Sequence, residues 1–203
     1  MSDLPKVFSY KLVRDYGFAP NPFHGICTLG TCKPQIREGA QRGDIIIGCG
    51  SKALKLEGRM IFAMRVSQKM SFQEYWEHEA FRIKRPHLRA SKSMAYGDNI
   101  YRRDGDGWIQ EDSHHSFAGG ALNRDNLNRD TGSDNVLIGE EFIYWGASAV
   151  EIPEHLRDFK GDDLYPHSRN YRNGFSKDFR AEIDAWFKEI TDRGRRGRPA
   201  SWG

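Results

Sequence analysis

The sequence predicts a single α+β domain in which short, mostly antiparallel strands are covered by peripheral helices, and three observations predict it. Apolar, strand-like runs and short helix-like segments are interleaved along the whole chain, from "VFSYKLV" through "DIIIGCG" and "RMIFAMRVSQ" to "NVLIGEEFIYWG". "NIYRR" and "GWIQ" flank "DGDG", and Asp-Gly pairs supply the positive φ angles that tight hairpin turns require. "KDFRAEIDAWFKEI" repeats Phe179, Ile183, Trp186, Phe187 and Ile190 at helical spacing, the signature of a helix laid on a core.

The length of 203 residues suits one sizeable core, expected over 1–192. A 38% hydrophobic and 29% charged composition, with no run of about 18 apolar residues, is that of a soluble chain without a membrane span. "MSDLPKVFSYKLV" lacks the basic and apolar regions of a secretory leader, and Cys27, Cys32 and Cys49 are an odd number, so a reducing, cytoplasmic setting is expected rather than a disulfide framework. The net charge of +3 hides two basic segments, "RIKRPHLRASK" over 82–92 and the Arg-Gly stretch 193–203. The second reads as a disordered tail or as an electrostatic arm for a polyanion.

"VFSYKLV" reads as the first strand, and the polar, glycine-bearing stretch that follows it, to Lys33, as a long loop without an element of its own. Pro34 opens a short helix, "PQIREGAQ", that Gly43 ends. Two strands follow, joined by the turn "SKALKLEG", and Ser71 with Glu74 at capping-box spacing starts the next helix. The 82–92 segment is a loop. "NVLIGEEFIYWG" is one or two strands with a break near Gly139.

"DSHHS" (112–116) is the densest chemical phrase in the chain. Adjacent histidines point to opposite faces of a strand but can share a pocket in a bend. His114 or His115 with Asp112 would make an acid–base pair in which the carboxylate fixes the imidazole tautomer. Equally, Asp112 and Ser113 could cap a turn with one imidazole buried and the other solvated. Cys32 beside Lys33 and a helix start could carry a reactive thiol, or be an inert buried cysteine. No Cys/His spacing matches a zinc motif, no phosphate-loop or dinucleotide fingerprint occurs, and neither metal nor cofactor is expected.

The run of helix, Gly43-Asp44, apolar strand, turn, "IFAMRVSQKM" and capped helix resembles, over residues 34–78, the PUA-like barrels that include the EVE and ASCH domains. That resemblance implies a small PUA-like pseudobarrel and RNA, modified bases or nucleotides as ligands. Longer phrases, "YKLVRDYGFAPNPFHGICTLGTCKPQIR", "GDNIYRRD", "DSHHS", "RDTGSDNVLI" and "FIYWG", resemble the second nucleotide modification associated domain family of bacteria and their phages. The family implies a nucleotide, modified base or nucleic acid as partner, in DNA base modification or phage–host conflict. Three roles follow from it: a binding module, a base- or nucleotide-modifying enzyme using the His/Asp pair, or a protein that sequesters or processes a nucleotide-derived defence signal.

A base pocket needs stacking surface, groups that read base edges, and donors for phosphate. Phe18, Phe23, Tyr101, Tyr144 and Trp145 are candidates for the first, Asn21, Asp98 and Asn99 for the second, and Lys33 and Arg37 for the third. Tyr10, Thr28, Cys32 and Ser51 complete the expected ligand-binding set. Tyr144 and Trp145 could equally belong to the core, and Asn21 between two prolines could be a turn former.

Overall fold

The computed structural model describes residues 4–168 and 170–202. Its strands form three sheets. The main one runs β1 (Val7–Leu12), β3 (Ile45–Gly50), β4 (Arg59–Arg65), β9 (Glu141–Tyr144) and β11 (Gly194–Arg195), with β10 (Val150–Glu151) also paired to β4. The second orders β2 (Cys27–Leu29), β8 (Val136–Gly139) and β5 (Gln68–Met70), and the third is the hairpin β6 (Tyr101–Asp104) with β7 (Gly107–Gln110). The architecture is mixed α and β. Among the described residues no sheet closes on itself into a barrel. The main sheet instead adds parallel strands at its two margins, β1 on β3 and β11 on β9, and these margins do not pair with each other.

The two-residue alternation of strands sorts side chains into layers. Phe8, Tyr10, Leu12 and Ile46 point from β1 and β3 toward the second sheet, where Leu29 and Leu137 meet them. Val7, Ile45, Ile47 and Cys49 point the other way, onto the helix α5 (Lys177–Glu189), which buries Phe179, Ile183 and Phe187 as its spacing predicted. Gly48 is required by this packing, because a Cβ there would stand 2.2 Å from the Phe62 ring. The far side of the second sheet is covered by a third cluster: Phe72 and Tyr75 of α2 (Phe72–Glu77), Tyr101 of the hairpin, and Leu127 of α4 (Arg124–Thr131), with the one-turn helix α3 (Lys92–Ala95) lying between α2 and the hairpin in the chain.

The helix α1 (Pro34–Gly39) starts at Pro34 as expected but ends at Ala40, short of Gly43. The capping box of α2 is present in both directions, Ser71 Oγ accepting from Glu74 N and Glu74 from Ser71 N. Three elements differ from expectation. The stretch read as pure loop contains β2, only three residues long. "RMIFAMRVSQ" breaks after Arg65, its end joining the second sheet as β5, whereas the break near Gly139 is where it was expected and separates β8 and β9 into different sheets. The helix α4 carries so little apolar periodicity that nothing in its composition announces it.

The basic C-terminal segment is built in rather than free. Beyond β11, Ala147 N donates to Arg198 O, Ala200 N to Asp15 Oδ2 at 2.8 Å, and Ser201 N to Asp15 O. Trp202 stacks on Phe23 at 5.5 Å and donates its indole N–H to Tyr16 O. Its charge pattern suggested solvent, but these main-chain bonds and one aromatic anchor hold it. No helix among the described residues is long and apolar enough to cross a membrane.

Candidate functional site

A cleft of about 570 Å³ opens where the end of β1 meets the 13–19 loop, the Cys32–Lys33 corner and the 114–115 bend. Tyr10, Leu12, Tyr16, Phe18, Cys32, Lys33, His114, His115, Asn126 and Arg129 are among its lining. At its floor three side chains form a chain of contacts. Cys32 Sγ lies 3.8 Å from His115 Nε2, and His115 Nδ1 lies 2.7 Å from Asp130 Oδ2. A thiol, an imidazole touching it, and a carboxylate on the far ring nitrogen make the arrangement of an activated nucleophile.

Asp130 holds the group together. Its Oδ2 also accepts from Tyr101 OH at 2.8 Å, and its Oδ1 accepts from Cys32 N at 2.9 Å and Arg129 Nε at 3.0 Å. Burial alone would raise this carboxyl, but His115, Arg129 and Tyr101 together hold it below the usual carboxylate range. His115 responds in kind. Burial opposes its protonation, yet the hydrogen bond to Asp130 and the sulfur of Cys32 outweigh that and push it up to about 9. Its neighbour goes the other way: desolvation, then His115 and Arg14, push His114 down to about 4. The His114 ring sits edge-on to Tyr16 at 4.8 Å and Phe18 at 5.3 Å. One imidazole is therefore a cation at neutral pH and the other a neutral aromatic wall.

Backbone geometry marks the same corner. Cys32 has φ 55° and Lys33 φ 43°, two consecutive non-glycine residues in the left-handed region. Such strain persists only where surroundings over-determine it. Here Asp130 takes the Cys32 N–H, and Arg37 Nε donates to the Cys32 carbonyl at 2.8 Å. The Arg37 guanidinium is fully buried and also donates to the carbonyls of Ser133, Asn135 and Asp130. Arg37, expected to hold phosphate, is thus a brace that leaves no donor facing the cleft.

The donor atoms of Cys32, His115 and Asp130 lie within 4.8 Å of one another, a spacing that could suit a metal ion. The chemistry of the set argues against one. Both Asp130 oxygens already accept two hydrogen bonds, and Arg129 Nη2 stands 4.0 Å from the sulfur, a fixed positive charge where a cation would have to sit.

The remaining expected residues separate clearly. Tyr10, Cys32, Lys33, His114 and His115 line the cleft, and Tyr101 supports it through Asp130. Asp112 does not reach an imidazole. Its carboxylate accepts from Ser116 Oγ at 3.0 Å and faces a different groove with Trp76 and Arg85, so the carboxylate that meets an imidazole is Asp130, through His115. Asn21, Thr28, Asp98 and Asn99 lie beneath the surface in a structural network. Asp98 accepts from Thr28 Oγ1, Gly30 N and Tyr75 OH, while Lys84 Nζ is coordinated by Asn21, Phe23 and Ile26 oxygens. Asn99 donates to the carbonyls of Tyr75 and Phe81. These polar groups satisfy buried backbone rather than read a base. Tyr144 OH donates to Asp15 at 2.6 Å, Trp145 packs beside the α5 core, Phe23 is covered by Trp202, and Ser51 is buried outside the cleft. Composition did not single out Asp130, Arg129, Arg14 or Tyr16. The first two lie at the start of "RDTGSDNVLI", a phrase that carried the family resemblance without pointing to a role.

A family model described as nucleotide modification associated domain 2 matches residues 4–203, and the chain belongs to that family. The family places it in the context of nucleotide and DNA modification. No curated protein and no solved structure matches it.

Proposed function

We propose that the cleft is the active site of a thiol-dependent enzyme acting on a nucleotide or modified nucleobase. The observation that carries this reading is the contact chain from Cys32 Sγ to His115 Nε2 and from His115 Nδ1 to Asp130. Cys32 attacks as the thiolate, paired with the His115 cation, which then gives its Nε2 proton to the group that leaves and is itself left neutral. Asp130 fixes the ring so that Nε2 faces the sulfur, while the paired strain at Cys32 and Lys33 keeps the sulfur turned to the cleft. Tyr16, Phe18 and neutral His114 offer stacking walls for a base. Membership in the nucleotide modification family is what makes a base the preferred substrate. On the family alone we place the reaction in DNA base modification or phage–host conflict, with nucleic acid or a free nucleotide as partner; the three unpaired cysteines support the cytoplasm as compartment. A binding module would use the same walls, but it would not need the strained thiol beside an imidazole.

The test is incubation with ribo- and deoxyribonucleotides and short oligonucleotides, followed by mass analysis of the nucleotides and of the Cys32 peptide. A product or a Cys32 adduct is expected, abolished in Cys32→Ala and reduced about 10²- to 10⁴-fold in His115→Ala. Conversion by Cys32→Ala at the wild-type rate would overturn the thiol mechanism, and a bound nucleotide recovered unchanged with no adduct would favour the binding module.

A further inference from the structure

We infer that the cleft contains a phosphate subsite formed by Lys33 and Arg14, so that the substrate is a phosphorylated nucleotide rather than a free base or nucleoside. This rests on the proposed function and narrows its substrate class. The observation that carries it is charge. The lining includes Lys11, Arg14, Lys33 and Arg129 and no carboxylate. Arg129 is matched by Asp130 at 3.0 Å, and Lys11 donates to the His167 carbonyl. Among the described residues Lys33 and Arg14 have no carboxylate partner within 4.0 Å. The Lys33 ammonium is also partly desolvated, which lowers it from its ordinary value, and stands 4.8 Å above the Tyr10 ring. A cation taken out of water without a counter-charge is costly unless a ligand supplies one.

The Tyr10 ring forms the wall beneath the Lys33 ammonium. A group with several acceptor oxygens and more than one negative charge answers the two cations together, and a phosphate does so better than a carboxylate. The volume suits a nucleoside monophosphate, with the base against Tyr16, Phe18 and the uncharged His114.

The experiment reads alkylation of Cys32 by iodoacetamide in the native protein. Cys27 and Cys49 are 0% exposed, so Cys32 is the thiol that reacts. Competitors are the common nucleoside 5′-monophosphates, the matching nucleosides, inorganic phosphate and acetate. Monophosphates are expected to protect at concentrations at least ten-fold below those of nucleosides, inorganic phosphate to protect weakly, and acetate not at all. Lys33→Met and Arg14→Gln should each erase most of the monophosphate advantage while melting within a few degrees of wild type. Equal protection by nucleosides and monophosphates, protection by acetate as strong as by phosphate, or no protection by any compound would overturn the phosphate subsite. Failure of the enzymatic reading shows separately, as conversion that does not require Cys32.

Discussion

The two adjacent histidines make opposite predictions for stability against pH, and the His115 half can be isolated. In the folded chain His115 titrates at about 9, against 6.5 for an ordinary imidazole, because its contact with Asp130 at 2.7 Å and with the Cys32 sulfur outweighs its burial. The imidazolium–Asp130 pair therefore contributes fully below pH 6.5, where folded and unfolded chains both hold the proton. Between 6.5 and 9 only the folded chain holds it, and stability falls by about 1.4 kcal/mol per pH unit. With the side chain 11% exposed and its partner 0%, screening removes little, and the total is about 3 kcal/mol. His115→Gln deletes this titration. Urea unfolding of wild type and His115→Gln at pH 6, 7.5, 9 and 10 should show the stability gap closing by about 3 kcal/mol across the series. Groups common to both proteins, such as Lys84, which burial lowers to about 8, cancel in that difference. Repeating the pair on a Cys32→Ser background removes the thiol's own titration. A gap constant from pH 6 to 10 would mean that His115 is neutral when folded, and the proton-holding role given to it would be wrong. His114, depressed to about 4, acts in the opposite direction, its neutrality costing stability as pH falls below 6.5, but its exposed position screens that contribution.

Three further outcomes follow from other contacts. Arg37→Met leaves the carbonyls of Cys32, Ser133, Asn135 and Asp130 without their shared donor, so unfolding in urea should show a loss of about 3–5 kcal/mol, and a loss below about 1 kcal/mol would refute the brace. Asp98→Asn should cost about 2 kcal/mol by weakening three hydrogen bonds to a buried carboxylate, yet leave the Cys32 alkylation rate within two-fold of wild type; a large change in that rate would return Asp98 to the site. Trp202→Ala should cost about 2 kcal/mol through the lost Phe23 stacking and Tyr16 bond, and should speed proteolysis within 13–19, because that loop is held by the C-terminal segment; unchanged cleavage there would show that the loop holds itself.

The fold was legible where periodicity is a direct consequence of burial. The α5 stripe, the strands β1, β3 and β4, the hairpin turn and the capping box each follow from a local rule, and each forms. What was not legible depends on partners distant in sequence. β2 is a strand because β8, about 110 residues away, offers it a ladder, and "RDNLNRDT" is helical although almost none of its residues is apolar. The site divides in the same way. Cys32, Lys33 and the two histidines could be found from residue type and neighbours, because a thiol or an imidazole advertises its chemistry. Asp130 could not, being one of many carboxylates until α4 brings it under His115. Asp112 was the nearer choice in sequence and the wrong one in space. Asn21, Asp98 and Asn99 misled for a physical reason: polar phrases that read as a ligand surface are also what a chain uses to satisfy the backbone of long buried loops.

The strain at Cys32 and Lys33 links the site to stability more closely than a surface cleft would require. Two consecutive left-handed residues cost of order 1–3 kcal/mol each, and the corner they form is held from both sides by ionised partners. The Cys32 N–H goes to Asp130 and its carbonyl to Arg37, charge-assisted bonds worth roughly 1.5–3 kcal/mol apiece, so cost and compensation are of the same size. With the terms so closely matched, loss of either partner should let the corner relax toward ordinary backbone and carry the sulfur away from His115. Asp130 adds a second coupling, since the carboxylate that holds the corner also orients the imidazole. A substitution there removes position and proton control together, so its effect on any Cys32 chemistry should be close to that of losing His115 as well, and the double variant should be little worse than the Asp130 variant alone.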